Sequence, residues 1–202
     1  MVLLVLALAF LLASFPARNS DLWLHLAQGR LLARGEHSFT DPPLPPGLPV
    51  NHSWLYDLLC YGLYAVLGGT GLVLFKALLV VGLALLLLRL SRAGPGSSLK
   101  RLPVFCTALA LLAMGTRLLL QPATVSYLFL ALALWFLRPR RESGRRGVGE
   151  SGVEDKTPNT LTPWLPPWPV LVLFAVWANM DSWFVLGLLT VALVWLLSLI
   201  HI

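Results

Sequence analysis

Long apolar runs separated by short polar segments dominate the chain. Six stretches carry almost no charge, namely 1–15, 72–90, 103–120, 123–137, 168–179 and 183–200. Each is rich in leucine, alanine and valine, and apolar runs approaching about 20 residues are typical of membrane-spanning helices. The pattern therefore predicts an all-α fold, a polytopic helical membrane protein with about six transmembrane helices.

A polar segment with its own pattern, 17–53, follows the first apolar run. Within it, residues 21–33 mix apolar and polar positions and predict a short amphipathic helix. Asp21 lies at the start of this helix, where the helix dipole favours negative charge. We therefore expect an outer loop of short amphipathic helices after the first membrane helix.

The next segment predicts a further helix and a break. Residues 54–67 are typical of an amphipathic or half-buried helix that carries Asp57, which we interpret as a structural residue. The glycine-rich stretch 68–71 predicts that this helix ends there, since glycine interrupts helices. Lys76 follows in the apolar run 72–90, and we expect its long side chain to reach the membrane surface.

Composition strengthens the membrane prediction. The chain has 202 residues, 57% hydrophobic and 12% charged, whereas soluble domains have about 25% charged residues. Cys60 and Cys106 lie in separate apolar segments, which indicates small apolar side chains rather than a disulfide or a metal site. The net charge of +6 comes from basic residues between apolar runs, so it points to membrane topology and not to nucleic-acid binding.

The basic residues predict which loops face the cytoplasm. The segments 91–102 and 138–166 hold three and six Lys or Arg, against three in the longer segment 17–53. Positive charge is retained on the cytoplasmic side, so the first two segments are predicted to be cytoplasmic. Residues 1–202 then form a single membrane domain, and 138–166 is a disordered basic cytoplasmic loop.

Alternation of the spans places the remaining polar residues together on the opposite face. They are Asp21, His25, Glu36, His37, Asp41, His52, Asp57, Arg117, Gln121, Asn179 and Asp181. A carboxylate at such a surface can act as a general base. An arginine at the edge of the lipid needs an anion, which could be a carboxylate or a phosphate. The face therefore carries the candidates for chemistry.

Other roles for these residues stay open. Asp21 is equally well explained as a helix cap, and Arg117 as a structural salt-bridge partner. His25 and His52 are more typical of interface or loop histidines than of metal ligands, because no spacing such as His-x-x-x-His occurs. The cofactor is therefore unknown, and a divalent cation is a candidate without a ligand motif.

Three stretches resemble the superfamily C glycosyltransferases, bacterial polytopic relatives of the protein mannosyltransferases and the lipid-A aminoarabinose transferases. The first is 21–30, with the sequence DLWLHLAQGR, together with FTDP at 39–42. The second is VNHSWL at 50–55, running into 68–79. The third is 117–122 with the later WAN at 177–179. The likeness covers most of the chain, and members of this superfamily are longer, so we expect an incomplete domain.

The resemblance implies a reaction and a set of site residues. A sugar would pass from a polyprenyl-phosphate donor to an acceptor on the outer face, with inversion at the anomeric carbon. Asp21 would be the catalytic base that deprotonates the acceptor hydroxyl. Arg117, with Gln121, would hold the donor phosphate. His25, His52 and Asn179 complete the expected substrate-binding set, and the expected partners are membrane lipids and the polyprenyl-phosphate-linked sugar.

A second interpretation is a non-catalytic integral membrane protein or a truncated remnant of such an enzyme. Asn179 is followed by Met180 and Asp181 where the family pattern has a histidine and glycines, and His52 is followed by Ser53 where an acidic residue is expected. A transporter is disfavoured, because no apolar run has a carboxylate at its centre and no inverted repeat is visible.

Overall fold

The fold is described from a computed structural model, which covers residues 1–15, 20–36, 53–91, 102–115, 119–138 and 168–200. Within these ranges every regular element is an α-helix. The seven helices are α1 (Val2–Ala13), α2 (Ser20–Ala33), α3 (Trp54–Ser91), α4 (Leu102–Met114), α5 (Pro122–Phe136), α6 (Trp168–Met180) and α7 (Phe184–Ile200). The all-α prediction is therefore confirmed. The segments 37–52 and 139–167, which contain most of the predicted polar loops, lie outside the described residues.

Helix α3 is the central element, and it packs against α1, α2, α4, α5 and α6. It is 38 residues long and is the one helix among the described residues that is long and apolar enough to cross a membrane. The other apolar helices have 12 to 17 residues. Six apolar helices thus match the six predicted runs, but only α3 has the length of a complete span.

The glycine-rich stretch interrupts α3 at one residue. Gly68 has φ 63° and ψ −159°, whereas the residues on both sides continue as helix. This backbone conformation is essentially restricted to glycine, because a Cβ atom would clash with the chain. The predicted break is present at Gly68, and the two halves of α3 follow each other directly.

Two apolar cores lie on the two halves of α3. One joins α1 and α4 to the second half through residues such as Ala9, Ala84 and Leu111. The other joins α2 and α5 to α3 through residues such as Leu26 and Val125. The second core positions the candidate site, because it fixes α2 against the start of α3.

Lys76 is buried in the described fold, and the expectation that its side chain reaches the membrane surface remains a prediction. Its side chain is 2% exposed. The ammonium Nζ donates to the backbone oxygen of Phe15 at 2.6 Å, just beyond the end of α1. Carbonyl oxygens at a helix C-terminus lack helical partners and carry partial negative charge, so they attract a cation. Lys76 therefore ties the end of α1 to α3.

Helix α2 lies unusually close to α3 because position 29 is glycine. A Cβ atom built on Gly29 would overlap the backbone oxygen of Asp57 and lie 2.7 Å from the Cβ of Tyr61. The same helix ends at Gly35, whose φ of 68° fits the left-handed turn that closes many helices. Backbone bonds from Gly35 to Leu32 and from Glu36 to Leu31 complete that turn.

The close approach predicts a strong effect of Gly29→Ala. The added methyl group meets backbone atoms that cannot move independently, so the variant should lose about 1–3 kcal/mol of stability, as overpacked cores do. Gly62→Ala is the matched control, because a Cβ at this helical position meets nothing within 4 Å. It should leave stability unchanged or raise it slightly. Denaturant unfolding of both variants in detergent, followed by circular dichroism, measures this difference. Equal stability of the two variants would contradict the packing of α2 on α3.

Candidate functional site

Buried polar side chains gather where α2, α3, α5 and the end of α6 meet. We call this group the polar cluster, and its members are His25, Tyr56, Asp57, Cys60, Ser126, Trp177 and Asp181. Asp57 is 0% and Asp181 6% exposed, whereas carboxylates are almost never fully buried without a partner. The burial of these two carboxylates therefore needs an explanation from their partners in the polar cluster.

A histidine and a carboxylate pair at one side of the polar cluster. Nδ1 of His25 on α2 lies 2.5 Å from Oδ1 of Asp57 on α3. This bond uses Nδ1, so Nε2 is the ring nitrogen that it does not engage. The His25 ring also meets the Tyr56 ring edge-on, with centroids 5.2 Å apart. The pair thus fixes the orientation of a histidine that is 16% exposed.

A chain of hydrogen bonds satisfies the second buried carboxylate. The indole Nε1 of Trp177 donates to Oγ of Ser126 at 2.8 Å. Ser126 in turn donates to Oδ2 of Asp181 at 2.6 Å. Trp177 is held in place by Phe174, whose ring stacks on the indole with centroids 5.6 Å apart. This chain joins α5 to the end of α6 through side chains that are all buried.

Tyr56 lies between these two groups. Its hydroxyl has no nitrogen or oxygen partner among the described residues, and the thiol of Cys60, a weak hydrogen-bonding group, is next to it. The carboxylates of Asp57 and Asp181 both act on this hydroxyl electrostatically. Tyr56 is therefore close to both buried carboxylates without a hydrogen bond to either.

Asp21, the predicted catalytic base, is exposed on the first turn of α2. It precedes His25 by four residues, and residues with this spacing are neighbours on one face of a helix. The carboxylate is therefore outside the polar cluster and one helical turn from it. The bond between His25 and Asp57 fixes the helix that carries Asp21.

The other predicted binding residues have separate positions in the described fold. Oδ1 of Asn179 accepts a hydrogen bond from Nε1 of Trp54 at 3.0 Å, which joins the end of α6 to the start of α3. Gln121 precedes α5 as its N-cap residue, without a capping bond from its side chain. His52 and Arg117 lie outside the described residues, so the predicted pairing of Arg117 with Asp21 or a phosphate remains a prediction.

Sequence reasoning identified His25 but missed most of the polar cluster. Asp57 and Asp181 were recognised as polar residues of the same face, yet neither was predicted to belong to the site. Ser126, Tyr56 and Trp177 lie in otherwise apolar stretches. A polar side chain within an apolar helix is itself a signal, because once buried it needs a hydrogen-bond partner on its own helix or on a neighbouring one.

The described residues contain no metal-ligand set, since no three His, Cys, Asp or Glu side chains there are placed so that they could hold one metal ion. The part of the polar cluster that could act on a substrate is His25, which is oriented by a carboxylate and partly exposed. Such an oriented imidazole can donate to or accept from a bound group. Comparisons with protein-family models, with characterised proteins and with solved structures find no match to the chain.

The hydrogen-bond chain predicts a large effect of Ser126→Ala. The change leaves both the Trp177 indole and the Asp181 carboxylate buried without this partner, which should cost about 1–3 kcal/mol for each group. Thr190→Ala is the control, because the Thr190 hydroxyl donates to a carbonyl within its own helix and its loss should cost less than about 0.5 kcal/mol. Thermal unfolding in detergent measures both variants. Similar melting temperatures for the two variants would contradict the chain.

Proposed function

We propose that the protein is a polytopic membrane protein of the bacterial inner membrane. The main support is the apolar surface of its helices. Exposed leucine, valine and aromatic side chains cover α1, α4, α6 and α7, with Leu3 at 80%, Phe105 at 62% and Leu189 at 63% exposure. Apolar surface of this extent is costly in water but is the normal boundary with lipid.

The short helices need flanking residues to complete a span. At 1.5 Å per residue, helices of 12 to 17 residues measure about 18–26 Å, against about 30 Å of hydrocarbon. The aromatic residues Trp168 and Trp183, which are exposed next to α6 and α7, suit the lipid–water interface and support this arrangement. The basic segments 92–101 and 139–167 then lie in the cytoplasm.

Within this membrane domain we assign a glycosyltransferase activity that uses a polyprenyl-phosphate sugar donor. The observation that carries the assignment is the position of Asp21, an exposed carboxylate one turn from the oriented His25. Asp21 would take the proton of the acceptor hydroxyl as it attacks the anomeric carbon. His25, Gln121 and Asn179, with Arg117 and His52, would bind the donor and its phosphate. A general base contributes about 10²–10⁴-fold to such a reaction.

A non-catalytic membrane protein is the second candidate, and one observation favours it. Both buried carboxylates of the polar cluster are used inside the protein: Asp57 pairs with His25, and Asp181 accepts from Ser126. Carboxylates whose hydrogen bonds are satisfied in this way are compatible with a purely structural role, which is to join the helices. The remnant of an enzyme domain would keep these contacts and lose the activity.

Sugar transfer measured with Asp21→Asn distinguishes these two functions. Right-side-out membrane vesicles that contain the protein are given polyprenyl-phosphate monosaccharide donors and a membrane-impermeant acceptor. The wild type should transfer sugar, and Asp21→Asn should be about 10²-fold slower or more. The stability of this variant should fall by no more than about 1 kcal/mol, the contribution of a negative charge on the first turn of a helix. Glu36→Gln, which also changes an exposed carboxylate, should keep the wild-type rate.

Three outcomes would contradict the assignment. Transfer that survives in Asp21→Asn would remove Asp21 as the base. Transfer in inverted vesicles alone would reverse the proposed orientation. No transfer by the wild type with any donor of the panel would favour the non-catalytic membrane protein.

A further inference from the structure

A groove opens between α3, α5 and α7, next to the C-terminal end of α3. We call it the arginine groove. Its walls are apolar and consist of Leu87, Leu90, Leu134, Leu137 and Val194, and Arg138 lies at its mouth. Its volume is about 550 Å³. An apolar channel with a cation at one end matches the shape of an amphiphile, which has a chain and a charged head.

The guanidinium of Arg138 is held in a defined orientation. Its Nη1 donates to the backbone oxygen of Arg89 at 3.2 Å. Its central carbon lies 5.9 Å from the centre of the Trp135 ring, a cation–π distance. A guanidinium has five N–H donors, so this bond to Arg89 leaves several that can bind a further acceptor. The two contacts fix Arg138 at the end of the apolar walls.

No acidic side chain in the described ranges pairs with the positive charge of this end. The ion pairs found there are His25–Asp57 and Arg34–Glu36, which involve α2 and its end. The guanidinium of Arg138 thus lies at the groove without a carboxylate partner among the described residues. A cation at the edge of the hydrocarbon is costly unless an anion compensates it. The anion that suits a rigid guanidinium is a phosphate, which accepts two parallel N–H bonds.

We propose that the arginine groove binds an anionic glycerophospholipid. One acyl chain lies against the leucines and Val194, and the headgroup phosphate accepts hydrogen bonds from Arg138. The leucine walls favour a lipid over free phosphate, because inorganic phosphate has no apolar part that could lie against them. The basic segments predicted to be cytoplasmic, 91–102 and 138–166, start in the sequence at two residues that line the groove, Ser91 and Arg138, and clustered basic residues attract anionic headgroups in the same leaflet. The proposal needs the membrane location proposed above but does not depend on sugar transfer.

Native mass spectrometry of the full-length protein in detergent tests the site. The protein is titrated with phosphatidylglycerol and, separately, with zwitterionic phosphatidylcholine of the same acyl chains. The wild type should bind the first phosphatidylglycerol at least about fivefold more tightly than phosphatidylcholine, the preference expected from one basic residue near an anionic headgroup. Arg138→Gln should abolish this preference. Val194→Trp, which fills the channel without changing charge, should weaken the binding of both lipids.

A matched control separates this site from general charge attraction. Arg30→Gln removes a positive charge from an exposed position on α2, and it should leave the preference unchanged. An equal loss in Arg30→Gln and Arg138→Gln would overturn the proposal, since it would show attraction by net charge alone. Equal binding of the two lipids by the wild type would also overturn it. Circular dichroism of each variant verifies that the helices are intact. The measurement involves no sugar donor, so its failure and the failure of the proposed enzyme activity are independent.

Discussion

The buried hydrogen bond between His25 and Asp57 is the contact on which the arrangement of the candidate site depends. Asp57 is completely buried, and an unpaired carboxylate in that position would cost several kcal/mol. One partner that relieves this cost is His25 on α2, a helix that also packs against the bundle through Leu22, Leu26 and the close approach of Gly29. The hydrogen bond to Asp57 is the polar contact among these, and it sets how α2 lies against the start of α3.

The same constraint explains the chemistry proposed for the protein. Asp21 is on the exposed first turn of α2, so its location depends on the bond between His25 and Asp57 that joins this helix to α3. In the polar cluster behind it two carboxylates are buried. Each has a hydrogen-bond partner on a neighbouring helix, His25 for Asp57 and Ser126 for Asp181. The arginine groove, between α3, α5 and α7, has the opposite electrostatic character. There the described residues offer the positive charge of Arg138 without an acidic partner, and the anion proposed to compensate it is the phosphate of a lipid.

Sequence reasoning predicted the helices well because each depends on local pattern. The apolar runs, the amphipathic stretch at 21–33 and the glycine break at 68 are all signals within a few residues of one another. The pairing of His25 with Asp57 is different, since 32 residues separate the two and the contact exists only after α2 packs on α3. The contact of Lys76 was missed for the same reason, because its acceptor, the carbonyl oxygen of Phe15, lies just beyond the end of another helix. Contacts between helices set the candidate site, and a pattern along one helix does not contain them.

The most direct test of this account is a double-mutant cycle on His25 and Asp57. The free energy of unfolding is measured in detergent for the wild type, His25→Ala, Asp57→Ala and the double variant. Each single change should cost about 1.5–3 kcal/mol, because it removes a hydrogen bond to a buried carboxylate. The double variant should be about 2 kcal/mol more stable than the sum of the single effects predicts. Additive effects within about 0.5 kcal/mol would show that the two side chains do not depend on each other, and α2 would then have to be positioned by other contacts.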